Sequence, residues 1–234
     1  MSDQRRAELS RNLEQVQARI DAACARAGRS ADDVTLTVVT KFFPASDVRL
    51  LAGLGVRHVG ENRHQEAEAK AAECADLDLV WHFIGGLQSN KAAAVTSYAS
   101  VVESLDRAKL VRGLSRGAHE HDRLLDVLVQ VSLDEGGSAT RSGAPPSEVP
   151  ELARAVAQAE GLRLRGVMAV APRGVDPLPA FAKLACVAEE VRRVDPAATW
   201  VSAGMSNDLE AALESGATHV RIGSAVLGPR PLRG

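Results

Sequence analysis

Cysteine, aromatic residues and lysine are all scarce in this 234-residue chain, and none of it is a long apolar run. The three cysteines, Cys24, Cys74 and Cys186, are widely spaced with no C-x-x-C pair. That set excludes a disulfide framework or a zinc cluster and fits a reducing cytosol. Each falls among Ala, Val and Leu, the setting of a core filler. Aromatics make up 3% of the residues, which leaves little for base stacking, and a net charge of −2 provides no basic footprint for nucleic acid. No segment approaches the ~20 apolar residues of a membrane span, and "MSDQRRAELSRNLEQV" is too charged for a signal peptide. These absences predict a soluble cytoplasmic protein with neither nucleic acid nor membrane as a partner. The rest, 45% hydrophobic and 25% charged, is ordinary for a globular chain able to bury a sizeable core.

What the chain does have is alternation. Residues 4–28 repeat Leu9, Leu13, Val16, Ile20 and Ala23 at helical spacing and stop at Gly28. Strand-like runs then follow at 35–40, 57–60, 81–85, 100–104, 126–133, 162–170, 199–203 and 219–223. Helical patterns lie between them at 46–54, 63–74, 90–98, 106–120, 147–160, 179–194 and 207–215. Repeated strand–helix units demand a parallel sheet, because a crossover helix returns the chain to the same end. Eight units in about 200 residues match a small single-domain (β/α)8 TIM barrel. An open doubly wound sheet satisfies the same count. No linker divides 1–234, so one domain is expected, with the 1–28 helix packed on it. The stretches "DEGGSATRSGAPPSE" (134–148) and "APRGVDPLP" (171–179) each follow a strand and read as long loops on the functional face.

The last two strands empty into Gly204/Ser206 and Gly223/Ser224, loops rich in backbone N–H groups and hydroxyls that suit a phosphate. Lys41 directly follows the first strand, between "LTVVT" and "FFP". The chain has five lysines against 23 arginines, so a lysine there is not routine surface charge. Apolar flanks lower an amine's pKa and yield the free base that a Schiff base requires. A lysine snorkelling from a strand end is the competing reading. Amine plus phosphate site suggests pyridoxal 5′-phosphate (PLP). Arg221 sits mid-strand in "HVRIGS", where a charge must be paired. It either faces a pyridine nitrogen, keeping that nitrogen unprotonated, or pairs with a carboxylate across the barrel.

Other signals are weaker. "GLGVRHVG" (53–60) follows a helix and is no dinucleotide loop. His119 and His121 stand in a charged segment and read as a solvated helix end, not a metal site. His82 reads as a satisfied core histidine, and Asp134 and Glu135 as loop charges.

With these residues named, the chain resembles the pyridoxal phosphate homeostasis proteins, the proline synthetase co-transcribed family, single-domain relatives of the alanine racemase barrel. The matching stretches are "VTKFFP" (39–44), "VGENRHQE" (59–66), "WHFIGGLQSNK" (81–91), "ESLDR" (103–107), "RSG" (141–143), "RGVMAV" (165–170) and "GMSNDLEAALESGATHVRIGSAVLG" (204–228). They run in order from about residue 35 to the C-terminus. The resemblance implies Lys41 as the Schiff-base lysine and Arg221 facing the pyridine nitrogen. It implies Ser206, Gly223 and Ser224 at the phosphate, Asn62 lining the ring pocket, and Ser202 and Gly204 as second contacts. It also implies a protein that buffers and delivers PLP, with apo PLP-enzymes as recipients and no established turnover. Phe43 stands where the family usually has a second lysine, which removes that residue from any hand-over. Gly86, Leu227, Ala203 and Arg141 are further departures, and none touches the amine, the arginine or the phosphate loops.

The second reading is an amino-acid racemase. That chemistry needs two bases, one on each face. Lys41 supplies one, but the only tyrosine, Tyr98, falls in the helix after strand three, and too little chain follows strand eight for a second, β-rich domain. The expectation is a carrier, acting as a monomer.

Overall fold

The structure is a computed structural model that describes residues 2–134 and 142–230, so Glu135 and Arg141 lie outside the described residues. Its strands are β1 (Thr35–Val39), β2 (His58–Glu61), β3 (Val80–Phe83), β4 (Val101–Leu105), β5 (Leu125–Val131), β6 (Leu162–Ala169), β7 (Trp200–Ser202) and β8 (His219–Ile222). All pairings are parallel and run in sequence order, and β1 pairs with β8 as well as with β2. That closure eliminates the doubly wound sheet, whose first strand would not meet its last. Every strand lies within two residues of its expected position.

The helices are α1 (Ser2–Arg26), α2 (Ala45–Gly53), α3 (His64–Glu73), α4 (Ala92–Val95), α5 (Ala108–Glu120), α6 (Val149–Ala157), α7 (Leu178–Val194), α8 (Leu209–Glu214) and α9 (Ser224–Leu227). Each longer one buries a stripe at helical spacing, as α5 does with Leu110, Leu114, Gly117 and Ala118. The expected helix over 90–98 is a correction. The segment forms a 3-10 turn at Ser89–Lys91 and then the single turn α4. The Thr96 and Ser97 hydroxyls donate back to the Ala93 and Ala94 carbonyls, taking the acceptors that a longer helix would use. A second correction concerns the cysteines. Cys24 and Cys74 are buried, but Cys186 is exposed, because α7 buries Phe181, Leu184, Val187, Ala188 and Val191 and residue 186 falls off that stripe.

Most of the apolar core lies between the barrel and its helices. The barrel interior holds a small apolar cluster, Val101, Leu128 and Met168, and is otherwise notably polar. Among the described residues no helix is long and apolar enough to cross a membrane.

Helix α1 packs Leu9, Val16, Ile20 and Ala23 against a second apolar cluster that includes Leu209, Leu213, Val226 and Leu227. Its polar residues bind the same elements. Arg5 donates to the Leu227 carbonyl at 3.0 Å, Asn12 to the Val226 carbonyl at 2.8 Å, and Arg19 to the Ser206 carbonyl at 2.9 Å. The helix therefore braces α8, α9 and the loops between β7, β8 and those helices. Ile20→Ala, at a side chain 1% exposed, should lower stability by about 2–5 kcal/mol and shift the urea midpoint without changing the m-value.

Candidate functional site

The C-terminal ends of the strands open on a cavity of about 720 Å3 lined by, among others, Lys41, Asn62, Ser206, Arg221, Gly223 and Ser224. Six of the eight expected site residues thus line one cavity. The other two, Ser202 and Gly204, are buried just behind it. Gly204 accepts from the Arg221 backbone N–H at 2.9 Å, and Ser202 bonds to the Arg221 side chain.

Lys41 lies two residues beyond the end of β1 and is half-buried, with its Nζ 5.8 Å from the Phe42 ring centroid. Its amine meets no hydrogen-bond acceptor among the described residues. Burial lowers its pKa below the ordinary 10.5, Arg230 lowers it further, Glu61 opposes, and Arg173 and Arg63 add to the lowering. The backbone turns sharply after it, with Phe42 at φ 74°, a left-handed conformation rare for a bulky residue. Asn62 reaches the cavity from the end of β2. A Cβ on Gly85 would lie 2.1 Å from the Asn62 carbonyl oxygen, so glycine at 85 is what lets the two loops meet. The Asn62 Oδ1 atom is buried with no partner among the described residues.

The loops after β7 and β8 face each other. Gly204 has φ 92°, which turns the chain, and the Met205 N–H is held by Asp208 at 2.6 Å. The Ser224 hydroxyl donates to the Ser206 oxygen at 3.3 Å. The backbone N–H groups of Ser206 and Ser224 meet no acceptor among the described residues. Two hydroxyls and free N–H groups on one rim are the donor set for a phosphate.

Arg221, 4% exposed, forms part of the cavity floor. Its Nη1 donates to the Ser202 hydroxyl at 2.7 Å and its Nη2 to the Ala169 carbonyl at 2.8 Å. Ser202 donates to Glu103 Oε2 at 2.6 Å, and Arg221 lies 3.7 Å from that same oxygen. Glu103 Oε1 bonds to His82 Nδ1 at 2.7 Å, and His82 Nε2 meets His58 Nδ1 at 2.9 Å. So Arg221 lines the cavity and also has a carboxylate across the barrel, the pairing that was one of the two alternatives its position left open. Burial alone would push the Glu103 carboxyl up; the His82 bond, Arg221 and Ser202 outweigh it and hold it down at about 2. Glu103 was missed in the sequence, although a charge inside the apolar "VVESL" satisfies the criterion that singled out Arg221. His82 is the satisfied core histidine expected of it, while His119 and His121 are exposed at the C-terminal end of α5. No group of three or more metal-ligating side chains occurs among the described residues.

An unpaired amine of lowered pKa, a buried guanidinium and a two-loop phosphate rim fit a phosphorylated aldehyde carrying a ring acceptor. Comparison with known proteins points the same way. A family model described as "Alanine racemase, N-terminal domain" matches residues 9–231. A Mycobacterium tuberculosis protein named pyridoxal phosphate homeostasis protein is 42% identical, with 98% of this chain and 95% of that protein covered. The Escherichia coli protein of that name is 37% identical over 95% of this chain and 97% of its own. The solved structure of PipY from Synechococcus elongatus with PLP bound aligns with a TM-score of 0.79 at 33% identity, covering 94% of this chain and all of that one.

The buried network makes the fold acid-sensitive. His219, 4% exposed on β8 against Trp200, is pushed by burial from the ordinary 6.5 to about 3. The unfolded chain therefore takes up this proton first. Its contribution is full above pH 6.5 and is lost as pH falls toward 3, and Glu103 adds a loss of the same sign between its ordinary 4.5 and about 2. Urea titrations from pH 6.5 to 4 should show stability falling, and His219→Gln should make the slope shallower by up to ~1.4 kcal/mol per pH unit.

Proposed function

Because this chain belongs to the alanine racemase N-terminal domain family, among the pyridoxal phosphate homeostasis proteins, we propose that it binds PLP through Lys41 and holds and delivers it in the cell. The observation that carries this reading is the meeting of Lys41, Arg221 and the Ser206/Ser224 pair in one cavity. When bound, PLP supplies an aldehyde that condenses with a primary amine and an electron-withdrawing ring. The chain's own groups then have distinct tasks. Lys41, its pKa lowered, offers a larger share of free amine near neutral pH. Ser206, Gly223 and Ser224 receive the phosphate with hydroxyls and backbone N–H groups. Arg221 turns a donor that does not release its proton toward the ring nitrogen, and Glu103 with Ser202 keeps that guanidinium charged and aimed. A ring whose nitrogen stays unprotonated is a weak electron sink, which suits holding over turnover.

A racemase reading would need a second base facing Lys41. Tyr98, the chain's one tyrosine, instead stacks on His64 at 5.8 Å and does not line the cavity. The cavity's lining carboxylate, Asp208, is engaged by the Met205 N–H. With this reading go a cytoplasmic, monomeric protein and apo PLP-enzymes as recipients.

Incubation with PLP followed by desalting should leave a visible absorption band, and borohydride should fix the label on Lys41. Lys41→Ala should lose both, and a wild-type protein without the band would refute the proposal. The capture rate should rise with pH about a midpoint below 10.5. Removing a neighbouring cation relieves the amine, so Arg230→Ala should move that midpoint upward, as stopped-flow absorbance across pH would show.

A further inference from the structure

We propose that Glu66 and Lys70, neither of which reaches the cavity, are positioning residues that clamp the two peptide units on either side of Lys41. Both lie on α3, four residues apart and so on one face. Lys70 is buried, and its Nζ donates to the Thr40 carbonyl at 3.0 Å, the peptide unit preceding Lys41. Glu66 Oε1 accepts from the Phe42 N–H at 2.7 Å, the peptide unit following Lys41. The two side chains meet at 3.3 Å, and Lys70 also bonds Glu61 Oε1 at 2.5 Å, an oxygen that takes the Thr40 hydroxyl at 2.7 Å as well. Lys70 and Glu66 therefore grip the backbone before and after Lys41, and Glu61 holds Lys70 and the Thr40 side chain.

Two features say that this grip does more than pack a helix. A buried lysine is expensive, and an apolar residue beside Ala67 and Ala71 would seat α3 on the barrel more simply. Phe42 is also held at φ 74°, one of two non-glycine residues with positive φ among the described residues. Backbone strain of this kind persists where its surroundings impose it. Here the Glu66 bond turns the Phe42 N–H inward while Lys41 faces the cavity. The result is a fixed origin for a long, flexible side chain whose amine must approach an aldehyde. A misplacement of about 1 Å can slow such an encounter roughly a hundredfold.

The functional meaning of the clamp rests on the PLP reading of Lys41, but the clamp itself does not. Glu66→Ala should slow PLP capture at Lys41 at least about tenfold while the protein stays folded. Glu66→Gln keeps an amide oxygen able to accept the Phe42 N–H and should restore most of the rate. A purely structural role would lower stability and leave the capture rate of the folded protein unchanged. The second readout needs no PLP: reductive 13C-methylation, with the Lys41 signal assigned from Lys41→Arg. Glu66→Ala should shift that signal and its titration midpoint, although the charges acting on the amine are chiefly Arg230, Glu61, Arg173 and Arg63. An unchanged signal and an unchanged rate would overturn the clamp. A wild-type protein that captures no PLP would overturn the PLP reading alone, and the Lys41 signal would still decide the clamp. If Glu66→Ala does not fold, amide exchange of the wild type decides. The Phe42 N–H should exchange at least about tenfold more slowly than an unprotected peptide, and free exchange would refute the bond.

Discussion

A carboxylate shut inside a barrel must be neutralised, and Glu103 is that carboxylate. Its two oxygens are shared between His82 on β3 and Ser202 on β7, and behind Ser202 stands Arg221 on β8, which reaches on to the Ala169 carbonyl of β6. One charge on β4 thus ties together five strands through side-chain bonds, in addition to the backbone ladder that closes the barrel. The part of the interior filled this way gains little hydrophobic stabilisation, and most of the apolar core sits between the barrel and its helices. What the polar interior provides instead is an arginine of fixed orientation at the cavity floor. A guanidinium on a loose side chain would not present its donors in one fixed direction.

Around that floor the loops are braced from two sides. Helix α1 supplies Arg5, Asn12 and Arg19 to carbonyls at the C-terminal end of α9 and in the Ser206 loop. The backbone N–H groups of Ser206 and Ser224 meet no acceptor among the described residues. On the opposite side, α3 grips the backbone of the Lys41 turn through Lys70 and Glu66. Two of the apolar side chains that line the cavity, Val170 and Val175, are exposed.

Much of this was legible from residue order. Eight strand runs were placed within two residues, because apolar alternation and the Gly and Ser that end it are local signals. Lys41, Asn62, Arg221 and the two Gly/Ser loops stand out in the sequence because each breaks a local pattern or falls in a short motif, and the structure brings them to one cavity. Helix α4 was overextended, since hydroxyls returning to carbonyls leave no trace in apolar spacing. Cys186 was mistaken for a core residue because neighbouring residue types do not reveal which face of α7 turns inward. Glu103, Lys70 and Glu66 draw their importance from partners distant in the chain, which their own stretches do not reveal.

By itself, then, the sequence determined the order of strands and helices and the end of the barrel at which the chemistry-bearing residues lie. Both follow from short-range periodicity and from the rule that parallel strand ends share a face. Only the tertiary structure decided that the sheet closes, that Arg221 has both a carboxylate and a cavity, and that Glu66 and Lys70 hold the Lys41 turn. Those outcomes depend on contacts between residues distant in the chain, such as Glu103 with Ser202. No spacing within one segment encodes how far apart two segments come to rest.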